Sequence, residues 1–354
     1  MRGNGEFFMK ETVSVKNLGQ MLVIICLLSG LFACVTSESD TQEMVVPVTS
    51  PVVDAVVTPA PVAPSSAAPA VVVLEEVLQL EVIAEPIDTE SNIALDTTLA
   101  GMTAVTALCE KLGAKLGSVS TQDCLHQQLI HSSVSYTGNS LAYREFPALT
   151  DYAPLGRVLV IGGIHGDEFS SVSIVFKWMG ALQEHHTGLF HWRFVPVANP
   201  DGLLQNVSQR QNSRGVDLNR NFPTANWGAD AHRYWVERTG RNPRRDPGEK
   251  PGSELEIQWL LEQISSFRPD VIISMHAPYD LVDYDGPPSA PSNFGSLHLR
   301  RLGVFPGSLG NYAGLDMKIP VVTVELESAG IMPSPAEINN MWVDLVQWLK
   351  GQLG

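Results

Sequence analysis

Short apolar runs alternate with segments of helical spacing along most of the chain, and this alternation limits the possible fold more than any other feature. The run at residues 157–161 is followed by Gly162-Gly163, which is typical of the end of a buried parallel strand. Strands that alternate with helices predict an α/β domain with a largely parallel sheet covered by helices. The predicted strands are residues 157–161, 192–197, 271–275 and 321–324, and the segments with helical spacing are residues 102–130, 168–183, 253–267 and 338–349.

The first 33 residues are typical of a bacterial export signal. Two lysines precede an apolar run, residues 21–33, that has the length of the apolar part of a signal peptide and is too short to span a bilayer. The run ends in Leu31-Phe32-Ala33-Cys34, which resembles a lipobox, so Cys34 is a predicted lipidation site. The alternative is ordinary cleavage by the general signal peptidase. The exported protein is then periplasmic, and Val35 rather than Asp after the cysteine favours an anchor in the outer membrane.

Residues 34–100 are a predicted tether between the signal peptide and a folded domain at residues 101–354. Six prolines lie between Pro47 and Pro69, and residues 35–100 contain eleven acidic residues and no Lys or Arg. Most of the formal net charge of −15 therefore belongs to this segment. The chain has no basic patch, which excludes a nucleic-acid partner, and we expect membrane association only through the lipid anchor. The oligomeric state stays open.

Two cysteines remain after the signal peptide and Cys34 are set aside. Cys109 and Cys124 lie in the predicted N-terminal helical extension, residues 101–135. An even pair in an oxidising compartment predicts a disulfide, and two buried thiols are the alternative.

Four polar side chains stand at the ends of predicted strands. His165 and Glu168 follow the strand at 157–161, His276 follows the strand at 271–275, and Glu325 ends the last strand. Ligands bind at the carboxyl ends of strands in open α/β sheets. Two histidines and a carboxylate are a sufficient ligand set for catalytic zinc, and a further carboxylate can take the proton of a water. Taken singly, each of these residues is more often structural.

Five motifs in order resemble the zinc carboxypeptidase family. They are His165-Gly-Asp-Glu168, Asn199-Pro-Asp-Gly202, Asp217-Leu-Asn-Arg-Asn221, the distal His276 and Thr323-Val-Glu-Leu326. The resemblance covers about residues 136–350. It implies a zinc carboxypeptidase-like fold with a mixed, mostly parallel central sheet flanked by helices on both faces.

The resemblance also implies a role for each matching residue. His165, Glu168 and His276 bind one zinc ion per chain, and Glu325 is the general base. Asp217 orients a ligating histidine. Asn219 and Arg220 grip the terminal carboxylate of the substrate, and Arg210 stabilises the oxyanion, with Arg214 as a close competitor.

One family feature is missing. Digestive members cap the pocket with a mobile tyrosine, but the corresponding position here is Leu302. Tyr312 lies on the other side of the Gly307-Ser308 pair and is not assigned that role.

A closer resemblance within the family is to bacterial murein peptide amidases. It rests on the segments at 165–168, 215–223, 225–227, 250–254 and 306–310. It implies zinc-dependent hydrolysis of the γ-D-glutamyl–diaminopimelate amide bond in cell-wall peptides. The alternatives are a zinc carboxypeptidase for ordinary α-linked peptides and a non-catalytic peptide- or wall-binding lipoprotein. Asp283 and Asp285 are candidates to bind the diaminopimelate ammonium, or are solvated loop residues.

Overall fold

The computed structural model of the chain describes residues 89–149, 153–287 and 289–354. The predicted signal peptide, Cys34 and most of the predicted tether lie outside the described residues. Among the helices of the described residues, none combines the length and the apolar character needed to cross a bilayer.

Two helices form the N-terminal extension. Helix α1 spans Thr89–Lys115, and α2 spans Thr121–His126 with Ser120 as its N-cap. Cys109 of α1 and Cys124 of α2 form a disulfide with a Cα–Cα distance of 5.4 Å, and both are fully buried. Helix α1 begins before residue 101, so it includes the last part of the predicted tether. No proline or glycine interrupts residues 89–100, which leaves nothing there to end a helix.

A seven-stranded mixed sheet forms the centre of the domain, in the order β1-β2-β4-β3-β5-β9-β6. Strands β4, β3, β5 and β9 are parallel, and the antiparallel strands β1, β2 and β6 lie at the two edges. The predicted mixed, mostly parallel central sheet is therefore confirmed. The strands of this sheet are β1 Ile130–Val134, β2 Ser140–Phe146, β3 Arg157–Ile161, β4 His191–Val195, β5 Val271–His276, β6 Leu281–Asp285 and β9 Val321–Glu325.

Helices cover both faces of the sheet. Strand side chains alternate between the faces, so Val158 and Val160 of β3 join one apolar core while Leu159 and Ile161 join the other. The first core packs against α1, α3 and α7, and the second against α6. The remaining helices are α3 Phe169–His185, α4 Pro200–Leu203, α5 Trp227–Thr239, α6 Leu255–Phe267 and α7 Pro335–Leu353.

Three short helical turns and a small ribbon complete the described part of the chain. The turns are 3-10 helices at Leu218–Arg220 and Pro243–Arg245 and a π-helix at Gly310–Asp316. The ribbon pairs β7 Asn293–Phe294 with β8 Leu297–His298.

The four predicted strands are present, each with ends shifted by two residues at most. His276 is the last residue of β5 rather than the residue after it. The predicted segment at 102–130 is interrupted, because α1 ends at Lys115 and α2 begins at Thr121.

Candidate active site

Three elements bring the metal-ligand candidates together at one edge of the sheet. His165 lies in the loop after β3, Glu168 is the residue before α3, and His276 ends β5. All three side chains are buried and form a group whose potential ligand atoms lie within 4.8 Å of one another. The carboxyl ends of parallel strands meet here, as the strand order predicts.

The donor atoms of these residues converge on one point. His165 Nδ1 lies 2.8 Å from Glu168 Oε1, His276 Nδ1 lies 3.1 Å from Glu168 Oε2, and the two Nδ1 atoms are 3.1 Å apart. Ligands of tetrahedral zinc, at bonds of about 2.0–2.2 Å, lie roughly 3.3 Å from each other. The spacing and the chemistry of this donor set therefore fit a zinc ion.

The charge states of His165 and Glu168 also fit a cation. Burial and the nearby Arg210 lower the pKa of His165, which favours the neutral imidazole that a metal requires. Burial opposes ionisation of Glu168, but the imidazoles of His165 and His276 outweigh it and hold the pKa of its carboxyl below its usual range. The site thus contains an ionised carboxylate and a neutral imidazole, which are the forms that bind a metal.

Glu325 lies beside this donor set without belonging to it. It ends β9, where it is the register partner of His276 on β5. Its Oε2 atom is buried and has no hydrogen-bond partner among the described residues. Burial raises the pKa of its carboxyl, which suits a group that takes up and releases a proton.

Asp217 contacts one histidine of the donor set. Its Oδ1 atom lies 3.3 Å from His165 Nε2. With the imidazole proton on Nε2, facing this carboxylate, the Nδ1 lone pair would be available to a metal. Arg210 Nε donates to Asp217 Oδ2 at 2.9 Å. Burial opposes ionisation of Asp217, but Arg210 holds the pKa of its carboxyl well below the usual range.

Arg210, not Arg214, reaches the donor set. Arg210 is buried, with its Nη1 atom 3.6 Å from Glu168 Oε1. Arg214 instead donates to the Tyr136 hydroxyl at 2.6 Å and faces Glu254 at 3.8 Å. The geometry therefore places Arg210, and not Arg214, beside the donor set.

Asn219 and Arg220 line the same cavity, which has a volume of about 600 Å³. Leu309 N–H donates to Asn219 Oδ1 at 2.8 Å, which fixes the amide. The Arg220 guanidinium stacks on the Phe305 ring at 4.4 Å, and its Nε atom is buried with no partner among the described residues. Burial lowers the pKa of Arg220 to about 10, so the group stays charged and is available to an anion.

Asp283 and Asp285 line the cavity from β6. Asp283 is buried and Asp285 half-buried, so the alternative of solvated loop residues is wrong. Burial and then the charge of Asp283 raise the pKa of Asp285 to about 7. The pair forms an acidic wall that an ammonium group would stabilise.

Sequence reasoning missed several residues of the cavity. They lie between the motifs, where no strand end or family pattern marks them. Leu302 lines the cavity, whereas Tyr312 stacks on Phe222 in the second core. The additional lining residues are Tyr234, Arg238, Arg244, Arg245, Tyr279 and Phe305.

Comparison with known sequences points to one family. The sequence profile of the zinc carboxypeptidase family matches residues 126–294. Murein peptide amidase A of Escherichia coli K12 is 37% identical over 131 residues, which is 35% of this chain and 50% of that protein. The namesake from Vibrio campbellii is 30% identical over 203 residues, which is 54% of this chain and 76% of that protein. The chain thus spans half the length of the first relative and three quarters of the second.

Comparison with solved structures supports the fold. Carboxypeptidase A from Helicoverpa armigera superposes with a TM-score of 0.51 at 15% identity and covers 75% of this chain and 81% of that one.

Proposed function

Because the chain belongs to the zinc carboxypeptidase family, we propose that it is a zinc-dependent hydrolase of cell-wall peptides. The scissile bond is the amide between γ-D-glutamate and diaminopimelate. One observation supports this proposal above the others: the donor set His165, Glu168 and His276 opens onto a cavity that carries Glu325 on the adjacent strand.

The chain's own residues supply the proton transfer and the charge stabilisation. Zinc, when bound by His165, Glu168 and His276, polarises a carbonyl and makes water more acidic. Glu325 accepts the proton of the attacking water and passes it to the leaving amine. Arg210, held by Asp217, is placed to stabilise the oxyanion. A protein that only binds wall peptides, without catalysis, would not need all of these groups at one site.

Two groups of residues in the cavity match the leaving group of such a peptide. Arg220, with Asn219 beside it, offers a fork for the terminal carboxylate of diaminopimelate. The acidic wall of Asp283 and Asp285 offers a counter-charge for the ammonium at its far end. The arrangement therefore favours a zwitterionic leaving group over an apolar one.

The test is product analysis. The zinc-loaded protein should release free diaminopimelate from L-Ala-γ-D-Glu-diaminopimelate, detected by mass. It should show little activity on α-linked peptides that end in Phe or Leu, because those side chains would meet the acidic wall without a counter-charge. Efficient cleavage of the apolar α-linked peptides with none of the tripeptide would make the protein an ordinary carboxypeptidase and overturn the murein assignment.

We also propose that the protein is exported and anchored by a lipid on Cys34. Residues 35–88, between Cys34 and helix α1, would then tether the domain and let it reach wall peptides from the membrane surface. Cys34→Ser should move the protein from the membrane fraction to the soluble periplasmic fraction, as followed by fractionation and immunoblot. Wild-type protein recovered in the soluble fraction would contradict the anchor.

A further inference from the structure

Three arginines of one segment line the cavity and have no role in the chemistry described above. Arg238 lies in the last turn of α5, and Arg244 and Arg245 lie in the 3-10 turn that follows. All three line the cavity, and together they are called the arginine rim. Three guanidinium groups along one segment of a cavity favour an anionic ligand.

The leaving-group end of the cavity lies at Asn219, Gly310 and Asp285. Leu309 N–H donates to Asn219 Oδ1, which joins the two segments. A Cβ atom at Gly310 would collide with the Asp285 carboxylate, so the π-helix and the acidic wall are in direct contact there. The proposed function already assigns this end of the cavity to the leaving group.

The turn that carries Arg244 and Arg245 packs on the segment that carries Arg210 and Asp217. Gln211, next to the oxyanion residue Arg210, donates its Nε2 to Pro243 O at 2.9 Å. Asp217 N–H donates to Asp246 O at 2.8 Å. The turn is therefore fixed beside Arg210, the residue proposed to stabilise the oxyanion, and the oxyanion forms on the carbonyl of the acyl group.

Arg244 is held by one ion pair and has further N–H groups that can donate hydrogen bonds. Its Nη1 atom lies 2.7 Å from Oδ2 of Asp167, a residue of the loop between His165 and Glu168. The Arg244 side chain is 53% exposed, so the remaining guanidinium N–H groups face open space. Asp167 thus fixes the position of the Arg244 guanidinium without using all of its N–H donors.

Arg245 and Arg238 have no ion-pair or hydrogen-bond partner among the described residues. Arg245 is half-buried and lies near enough to Arg220 to lower the pKa of that guanidinium. An anion bound at the rim would relieve this repulsion, and its charge would be separate from the carboxylate that Arg220 binds.

We propose that the arginine rim is a second carboxylate subsite, which binds the free α-carboxylate of an acyl residue joined to the leaving group through its γ-carboxyl. This proposal rests on the proposed function and deepens it. In an ordinary α-linked residue the α-carboxyl forms the scissile amide, so a free carboxylate on the α-carbon is present only in a γ-linked residue. The subsite therefore selects the linkage itself, whereas the acidic wall selects the leaving group.

The experiment compares two γ-linked tripeptides that differ in one group. One is L-Ala-γ-D-Glu-diaminopimelate, and the other carries an α-amide, as D-isoglutamine, in place of the α-carboxylate. Because a hydrogen bond to a charged group contributes about 1.5–3 kcal/mol, we expect the wild type to prefer the carboxylate by about 10- to 150-fold in kcat/KM. Arg244→Gln and Arg245→Gln should each reduce that preference towards one, while Arg245→Lys keeps part of it.

The control variant is Arg241→Gln, an exposed arginine of the same segment that does not line the cavity. It should keep the full preference. Binding gives a second readout: calorimetry on Glu325→Gln should show the same preference between the uncleaved peptides, lost when Arg245→Gln is added.

The outcomes separate the two proposals. A wild type that cleaves both γ-linked peptides equally, or rim variants that keep the full preference, would overturn the subsite and leave the proposed function standing. A wild type that cleaves neither γ-linked peptide would overturn the proposed function.

Discussion

Glu325→Gln is expected to abolish hydrolysis while the protein keeps one zinc ion per chain. Glu325 is not among the three converging donors, and its Oε2 atom is free to meet a water. An amide of the same shape cannot accept the proton, so kcat should fall by about 10²- to 10⁴-fold, the usual contribution of a general base. Steady-state kinetics and metal analysis of the same purified sample measure both quantities.

Glu327→Gln is the matched control, since Glu327 is an exposed carboxylate two residues further along the chain. It should leave both activity and zinc content unchanged. If Glu325→Gln kept most of the wild-type kcat, the base would have to be another group.

His276→Ala is expected to lose zinc and activity together. His276 supplies one of three donor atoms, and the remaining two cannot close the site. Zinc affinity should fall by more than about 100-fold, which is the upper range for loss of a supporting partner such as Asp217. Competition with a fluorescent chelator measures the affinity.

Thermal unfolding gives an independent reading of the same variant. Zinc should raise the Tm of the wild type, because a ligand that binds the folded state stabilises it, and should leave His276→Ala unchanged. His298→Ala, at an exposed histidine of β8, should behave as the wild type. A His276→Ala protein that still held one tightly bound zinc ion would contradict the ligand assignment.

The position of the active site could be predicted from the sequence because its residues follow strand ends. Short apolar runs located β3, β5 and β9, and the carboxyl ends of parallel strands necessarily meet. The sequence therefore predicts His165, His276 and Glu325 at one edge of the sheet. The choice between Arg210 and Arg214 needed the structure, since both lie in one polar loop and only burial separates them.

The arginine rim could not be predicted in the same way. Helix α5 is largely polar, so apolar periodicity did not mark it, and the edge strands β1 and β2 were missed for a similar reason. Contacts distant in sequence place the rim, such as the pair of Arg244 with Asp167. Propensity and spacing along the chain contain no information about such contacts.

The pairing of His276 with Glu325 has an evolutionary consequence. One ladder of hydrogen bonds between β5 and β9 sets the separation of the proposed metal ligand and the proposed base, and a slip of one residue would turn one of them to the other face. Of the residues between them, β6 joins the same sheet, with Leu281 opposite Glu325, whereas residues 286–320 supply Leu302 and Phe305 from outside this ladder. Insertions and substitutions in that outer segment can change which peptide is accepted while the separation of the two groups stays the same, so substrate range and chemistry can evolve independently in this chain.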